Sequence, residues 1–247
     1  MSAVLEVAEL KKTYPAFTLG PVSFSVEAGS IMGFIGRNGA GKTTTLRSVL
    51  DLVHPDSGSV RYFGRELSED QRAVKQRVGF SGGAVNYYPR KRIRDIIAVT
   101  KRFYGNWDDA ACEKYLKAFS VDPLKTPREL SEGMKVKLNL ALALSHRAEL
   151  LILDEPTSGL DPVSRAEILD IFAALRDRGT AILFSTHVTS DLDKCADHIT
   201  YIKNGKLMDT CPKDEFIARH ALMGHGKTLE EIMLSCEKED FREKLAD

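Results

Sequence analysis

Gly36-Arg37-Asn38-Gly39-Ala40-Gly41-Lys42-Thr43-Thr44 has the spacing of a glycine, four residues and then Gly-Lys-Thr. The apolar, β-rich Ser30-Ile31-Met32-Gly33-Phe34-Ile35 runs into it, and Thr44–Leu50 behind it has a helical pattern. Strand, glycine loop and helix form the context in which this spacing has a physical meaning. Glycines let the chain curl so that successive N–H groups point inward, and the following helix adds the positive end of its dipole, so the loop becomes a nest for the phosphates of a nucleotide. On this reading Gly36, Asn38, Gly39, Gly41 and Thr44 belong to the cradle, Lys42 reaches the β- and γ-phosphates, and the Thr43 hydroxyl binds Mg²⁺. Kinases, GTPases, motors and transporters share such a loop, so what hydrolysis drives has to be sought elsewhere in the chain.

Leu150-Leu151-Ile152-Leu153-Asp154-Glu155 is a continuous apolar run closed by two carboxylates. A buried parallel strand delivers acid groups to a site at its carboxyl end in this way. Asp154 is expected to hold the Mg²⁺ and Glu155 to orient or deprotonate the attacking water. Pro162 opens a predicted helix, Val163–Arg178, that Gly179 stops. Thr180–Ser185 then reads as another buried strand, and His187 emerges just beyond it, on the edge that carries Lys42 and Glu155. A histidine there is a candidate sensor of the γ-phosphate.

Elsewhere the pattern is mixed. Val4–Leu10 and Val22–Val26 alternate apolar with polar, as half-exposed antiparallel strands do. Lys11-Lys12-Thr13-Tyr14 lies between them, and Tyr14 has two readings, simple packing or stacking on an adenine face. Ser59–Phe63 reads as a short strand, Ser68 as the cap of a helix over Glu69–Arg77, and Val78–Ser81 as a strand leading to Gly82-Gly83. From Arg90 to Ser145 the periodicity is almost wholly helical. The basic run Arg90-Lys91-Arg92-Ile93-Arg94 is either a solvated helix start or a face for a partner or lipid headgroups. A second Gly-Lys-Thr at Gly226–Thr228 has Ala221 where the first glycine belongs and no strand ahead of it, so it fails the test that the first passes.

Composition narrows the partners. Thirty-five basic and thirty-five acidic residues cancel to a net charge of zero over 247 residues, so no global field attracts nucleic acid or an anionic membrane. Four cysteines, Cys112, Cys195, Cys211 and Cys236, lie far apart with no Cys-x-x-Cys pair and no histidine at zinc spacing, and reduced thiols are the expectation. No apolar run approaches the ~20 residues of a membrane helix, and the start lacks the basic and long apolar segments of a secretory signal. A cytosolic chain, able to dock under a membrane protein, is expected.

These residues resemble the ATP-binding subunit of an ABC transporter. Leu130-Ser131-Glu132-Gly133-Met134 looks like the family's signature peptide, 23 residues ahead of Asp154, while Ser158-Gly159-Leu160-Asp161 looks like its D-loop and His187 like its switch histidine. The resemblance implies an α/β fold: a P-loop NTPase core with a mostly parallel sheet, an antiparallel β subdomain and an inserted helical subdomain. It divides the single domain into a core of 1–81 and 148–215, a helical subdomain of 82–147 and a helical tail of 216–247. It also implies ATP and Mg²⁺ as ligands and a second nucleotide-binding subunit, identical or a close paralogue. Each ATP is then gripped by the phosphate loop of one subunit and by Ser131 and Gly133 of the other, with Asp161 at the same junction and Tyr14 against the adenine. The implied partner is a separately encoded polytopic membrane subunit, with this chain peripheral on the cytoplasmic face and no nucleic acid bound.

The sequence departs from the family pattern at Gly83, where a glutamine that ligates Mg²⁺ and contacts the membrane subunit is expected. Asn86 is a neighbour that can fill the role. The signature carries Glu132 and Met134 where the family usually has Gly and Gln. With Phe103–Asp108, these features are similar to small bacterial exporter ATPases of the peptide, bacteriocin and toxin type. Two alternatives stand beside that reading: a soluble ABC ATPase acting on the ribosome or DNA, and a regulatory ATP-binding subunit with little turnover.

Overall fold

The chain is described by a computed structural model covering residues 2–82 and 88–246, with only the backbone for 239–246. Gly83, Asn86 and Tyr87 lie outside the described residues. In chain order the elements are β1 (Ala3–Tyr14), β2 (Phe17–Glu27), β3 (Ile31–Ile35), α1 (Lys42–Val49), β4 (Ser57–Tyr62), β5 (Arg65–Glu66), α2 (Gln71–Arg77) and β6 (Val78–Ser81). There follow α3 (Ile93–Thr100), α4 (Asp109–Ala118), α5 (Glu132–Leu144), β7 (Leu150–Asp154), α6 (Pro162–Arg176), β8 (Ala181–Thr186), α7 (Thr189–Cys195), β9 (His198–Lys203), β10 (Lys206–Pro212), α8 (Lys213–Leu222) and α9 (Leu229–Ala246). This is the α/β architecture that the sequence implies, with a block of helices between β6 and β7.

Six strands form a sheet in the order β10-β9-β3-β8-β7-β6, parallel except for β10 at one edge. A second, antiparallel sheet runs β2-β1-β4-β5. Successive side chains on a strand point to opposite faces, so each apolar central strand feeds two cores. Ile31 and Ile35, Leu151 and Leu153, and Ile182 and Phe184 pack on the side of α5 and α6. Met32 and Phe34, Leu150 and Ile152, and Ala181 and Leu183 pack on the side of the antiparallel sheet, where the rings of Phe34 and Phe24 lie 5.6 Å apart.

Register then aligns the carboxyl ends. Ile35 pairs with Thr186 and Asp154 with Ser185, so the residues that follow leave the sheet along one edge.

Several boundaries shift by a residue or more from the sequence reading, and two of the shifts have a clear physical cause. The cap of α2 is Asp70, whose Oδ1 accepts from Ala73 N at 3.0 Å, and Ser68 and Glu69 stay in the preceding turn. Strand β1 continues through Lys11–Tyr14, because β2 extends to Phe17 and gives those residues partners across a tight turn at Pro15-Ala16. Gly226–Thr228 follows a helix, α8, and no strand, as its sequence context predicts.

Candidate active site

The phosphate loop leaves β3 at Ile35 and closes into α1, with Gly41 as the cap at φ 112°. That backbone is left-handed, and it is also pressed from behind. A Cβ on Gly41 would sit 2.9 Å from Leu19 Cδ1 and 3.1 Å from Phe17 Cζ, and one on Gly36 would sit 2.3 Å from the Ile202 carbonyl oxygen. Only glycine lets the loop lie this close to the sheets. The hydroxyl of Thr45 donates to Gly41 O at 2.9 Å and ties the first turn of α1 to the loop.

Lys42 is 6% exposed, with Nζ donating to the carbonyl oxygens of Gly36 at 2.7 Å and Arg37 at 3.3 Å. Burial pulls its pKa below the ordinary lysine value, while Glu155 and Asp154 oppose the shift. Glu155 Oε1 lies 3.8 Å from Lys42 Nζ, and Glu155 Oε2 accepts from His187 Nδ1 at 2.8 Å. Its two oxygens therefore face two different basic groups. Glu155 also has φ 52°, a left-handed conformation that a side-chain-bearing residue adopts at a cost of ~1 kcal/mol or more. The strain is held by its N–H, which donates to Ser185 O at 2.9 Å on the neighbouring strand.

Thr43 Oγ1 donates to Asp154 Oδ2 at 2.9 Å, and Ser185 Oγ donates to Asp154 Oδ1 at 2.5 Å. A hydroxyl and a carboxylate side by side are the hard oxygen donors that Mg²⁺ prefers, so the residues present fit that ion. Ser185 aims the carboxylate, and sequence reading passes over it because a serine inside an apolar strand has no distinguishing neighbour.

The remaining candidates fall into two other places. Ser131 caps α5, its Oγ accepting from Met134 N at 3.3 Å, and Gly133 packs so closely on the Ser158–Asp161 turn that a Cβ would be 3.1 Å from Gly159 O. Asp161 caps α6, with Oδ1 accepting from Val163 N and Ser164 N, both at 3.0 Å, and bonds to Ser164 hold its carboxyl below the usual range. Among the described residues no hydrogen bond or ion pair joins Ser131 or Gly133 to the phosphate loop. Tyr14 is 38% exposed at the end of β1, paired with Phe17, whose ring backs Gly41.

One further wall is unforeseen in the sequence. Helix α9 faces the loop across a cleft of about 620 Å³ lined by Arg37, His187, Thr189, Met233 and Glu237, and Arg37 Nη1 lies 3.5 Å from Glu237 Oε2.

The ABC transporter family profile matches residues 19–158, more than half of the chain and the stretch from β2 through the phosphate loop to Ser158. The chain belongs to the ABC transporter family. It is similar to the bacitracin transport ATP-binding protein BcrA of Bacillus licheniformis, 33% identical over 89% of this chain and 73% of that protein. It is also similar to the Nod factor export ATP-binding protein I of Burkholderia orbicola, 34% identical over 83% of this chain and 69% of that protein. Among solved structures, an ATP-binding subunit of an ABC transporter superposes with a TM-score of 0.84 at 26% identity, over 94% of this chain and 98% of that one. A dimeric post-hydrolysis ATP-binding cassette with ADP and Pi shares the fold, with a TM-score of 0.76 at 20% identity over 84% of this chain and 98% of that one. This ABC protein is an ATPase, and ATP is its nucleotide.

Proposed function

We propose that this ABC ATPase works as a head-to-tail pair that drives export through a separately encoded membrane subunit, in the manner of a bacterial peptide or toxin exporter. The names of its relatives support export: one serves bacitracin transport and another Nod factor export. No described helix is long and apolar enough to cross a membrane, which fits a peripheral subunit at the cytoplasmic face.

The observation that carries the chemistry is Glu155, set between Lys42 and His187 at the aligned ends of β3, β7 and β8. In this proposal the loop N–H groups and Lys42 hold the β- and γ-phosphates. Glu155 orients and deprotonates the attacking water, and its hydrogen bond to His187 fixes the carboxylate beside the γ-phosphate. Mg²⁺ held by Thr43 and Asp154 supplies charge neutralisation on the phosphate oxygens when bound. Tyr14 offers a stacking face for adenine. Ser131 and Asp161 use their side-chain hydrogen bonds to cap α5 and α6, and among the described residues neither they nor Gly133 bond to the loop, which suits residues reserved for the other subunit's nucleotide.

Glu155→Gln tests the assignment. The variant should bind ATP with wild-type affinity, lose ~100- to 10,000-fold in hydrolysis, and accumulate as an ATP-bound dimer in size exclusion. Turnover at the wild-type rate removes Glu155 from the reaction.

A further inference from the structure

Away from the nucleotide site, the C-terminal helices bring three metal-binding side chains together. His220 is in the last turn of α8, His225 is in the connection that follows, and Cys236 is on the buried face of α9. The chain is folded to make them meet. Gly224 turns at φ 79° with its N–H on Ala221 O at 3.1 Å, and His225 N then donates to His220 O at 3.0 Å, which sets the two imidazoles side by side. Their Nδ1 atoms are 2.9 Å apart, His225 Nδ1 is 3.8 Å from Cys236 Sγ, and all three ligand atoms lie within 4.8 Å of one another.

A tetrahedral Zn²⁺ with bonds of ~2.0–2.1 Å to nitrogen and ~2.3 Å to sulfur requires N···N of about 3.3 Å and N···S of about 3.6 Å. The observed 2.9 and 3.8 Å bracket those values to within half an ångström. The third edge, from His220 to Cys236, lies within 4.8 Å, so side-chain rotations that move it by about 1 Å enclose the ion. The donor set is also selective. Two imidazoles and a thiol suit a borderline or soft cation, and the cluster contains none of the carboxylate oxygens that Mg²⁺ or Ca²⁺ would need. Two Nδ1 atoms at hydrogen-bond distance share at most one proton comfortably, and a metal ion relieves that pairing. Burial lowers the pKa of His220 and His225 lowers it further, with Asp209 opposing the shift. Phe216 walls one side, with its ring centroid 4.4 Å from that of His220.

We propose that His220 Nδ1, His225 Nδ1 and Cys236 Sγ form a site for a Zn²⁺-class cation that clasps α8 to α9. Cys236 binds as the thiolate, its proton passing to solvent, and the fourth tetrahedral position is left to water. The neighbour of Cys236 on α9 is Glu237, which faces Arg37 of the phosphate loop, so the clasp fixes the helix that borders the catalytic cleft.

The test uses the whole chain, stripped with chelator and kept reduced and free of nucleotide. Co²⁺ is added as a spectroscopic probe, followed by Zn²⁺ in competition with a chromophoric chelator. Wild type should take up one equivalent, with a thiolate-to-cobalt charge-transfer band, and Zn²⁺ at about 100 times its Kd should raise the Tm by on the order of 5 °C. Cys236→Ser should abolish the charge-transfer band, and it and His225→Asn should each weaken Zn²⁺ at least tenfold. Cys211→Ser, which removes a thiol outside the cluster, should change neither. ATP affinity serves as a check that each variant is folded. Absence of the band in wild type, or Zn²⁺ affinity in folded Cys236→Ser equal to that of wild type, overturns the proposal and leaves the cluster as a hydrogen-bonded core.

Discussion

The chain contains Gly-Lys-Thr twice, and the two copies are built for opposite purposes. At Gly41–Thr43 the tripeptide ends a strand-fed loop, its lysine buried and bonded to loop carbonyls, its backbone lying so close to the sheets that side chains are excluded. At Gly226–Thr228 it follows a helix, and its lysine is exposed. There the N–H groups of Lys227 and Thr228 point at Glu231 Oε2, at 2.7 and 3.3 Å, while Glu231 N donates to Thr228 Oγ1 at 3.2 Å. This is a capping box, in which the protein's own carboxylate occupies the anion site that a helix N-terminus offers. The same three letters bind a phosphate or a side chain according to what precedes them and what stands three residues later.

The largest effect expected from this contrast is at the lysines. Lys42→Ala should lower ATP affinity by roughly 100-fold or more, since it removes a buried charge from the phosphates, whereas Lys227→Ala should leave calorimetric affinity unchanged. Equal losses in both variants would erase the distinction.

The glycines give a smaller effect. Gly36→Ala forces its methyl against Ile202 O, so the loop must shift, and ATP binding should fall by roughly tenfold to 100-fold. Gly226→Ala also meets a side chain, Glu231, but its cost should appear in thermal stability alone.

The smallest concerns the cap. Thr228→Ala should destabilise the start of α9 by about 1 kcal/mol, a drop of roughly 2–4 °C in Tm, with ATP affinity untouched. A loss of nucleotide binding there would mean that the second tripeptide reaches the site.

Wherever chemistry is written into a contiguous stretch, the sequence is informative. The glycine loop, the Asp154-Glu155 strand end and the context around Gly226 are each decided by residues within about ten positions. Features built by register are less legible. Ser185 meets Asp154 because two strands align, and nothing near Ser185 in the chain marks it. The expectation of no histidine at zinc spacing overlooks His220 and His225, five positions apart, and a turn at Gly224 and two turns of α9 bring His225 to Cys236 across eleven positions. Asp70 displaces Ser68 as a cap because both are good caps and only the backbone of the turn chooses between them. The extension of β1 to Tyr14 likewise depends on a partner strand, which overrides the polarity of Lys11-Lys12.

The alternation along β3, β7 and β8 has a consequence for how the molecule comes apart. Each of these strands supplies side chains to both cores, so neither the helical side nor the antiparallel sheet can detach without exposing apolar surface on strands that the other side also needs. The two cores therefore form one cooperative unit, and the strands that connect them belong to its most protected part. Glu155 and His187 directly follow β7 and β8, and Lys42 opens the helix after β3, so the groups to which the proposed mechanism gives the chemistry stand beside the last part of the protein to open.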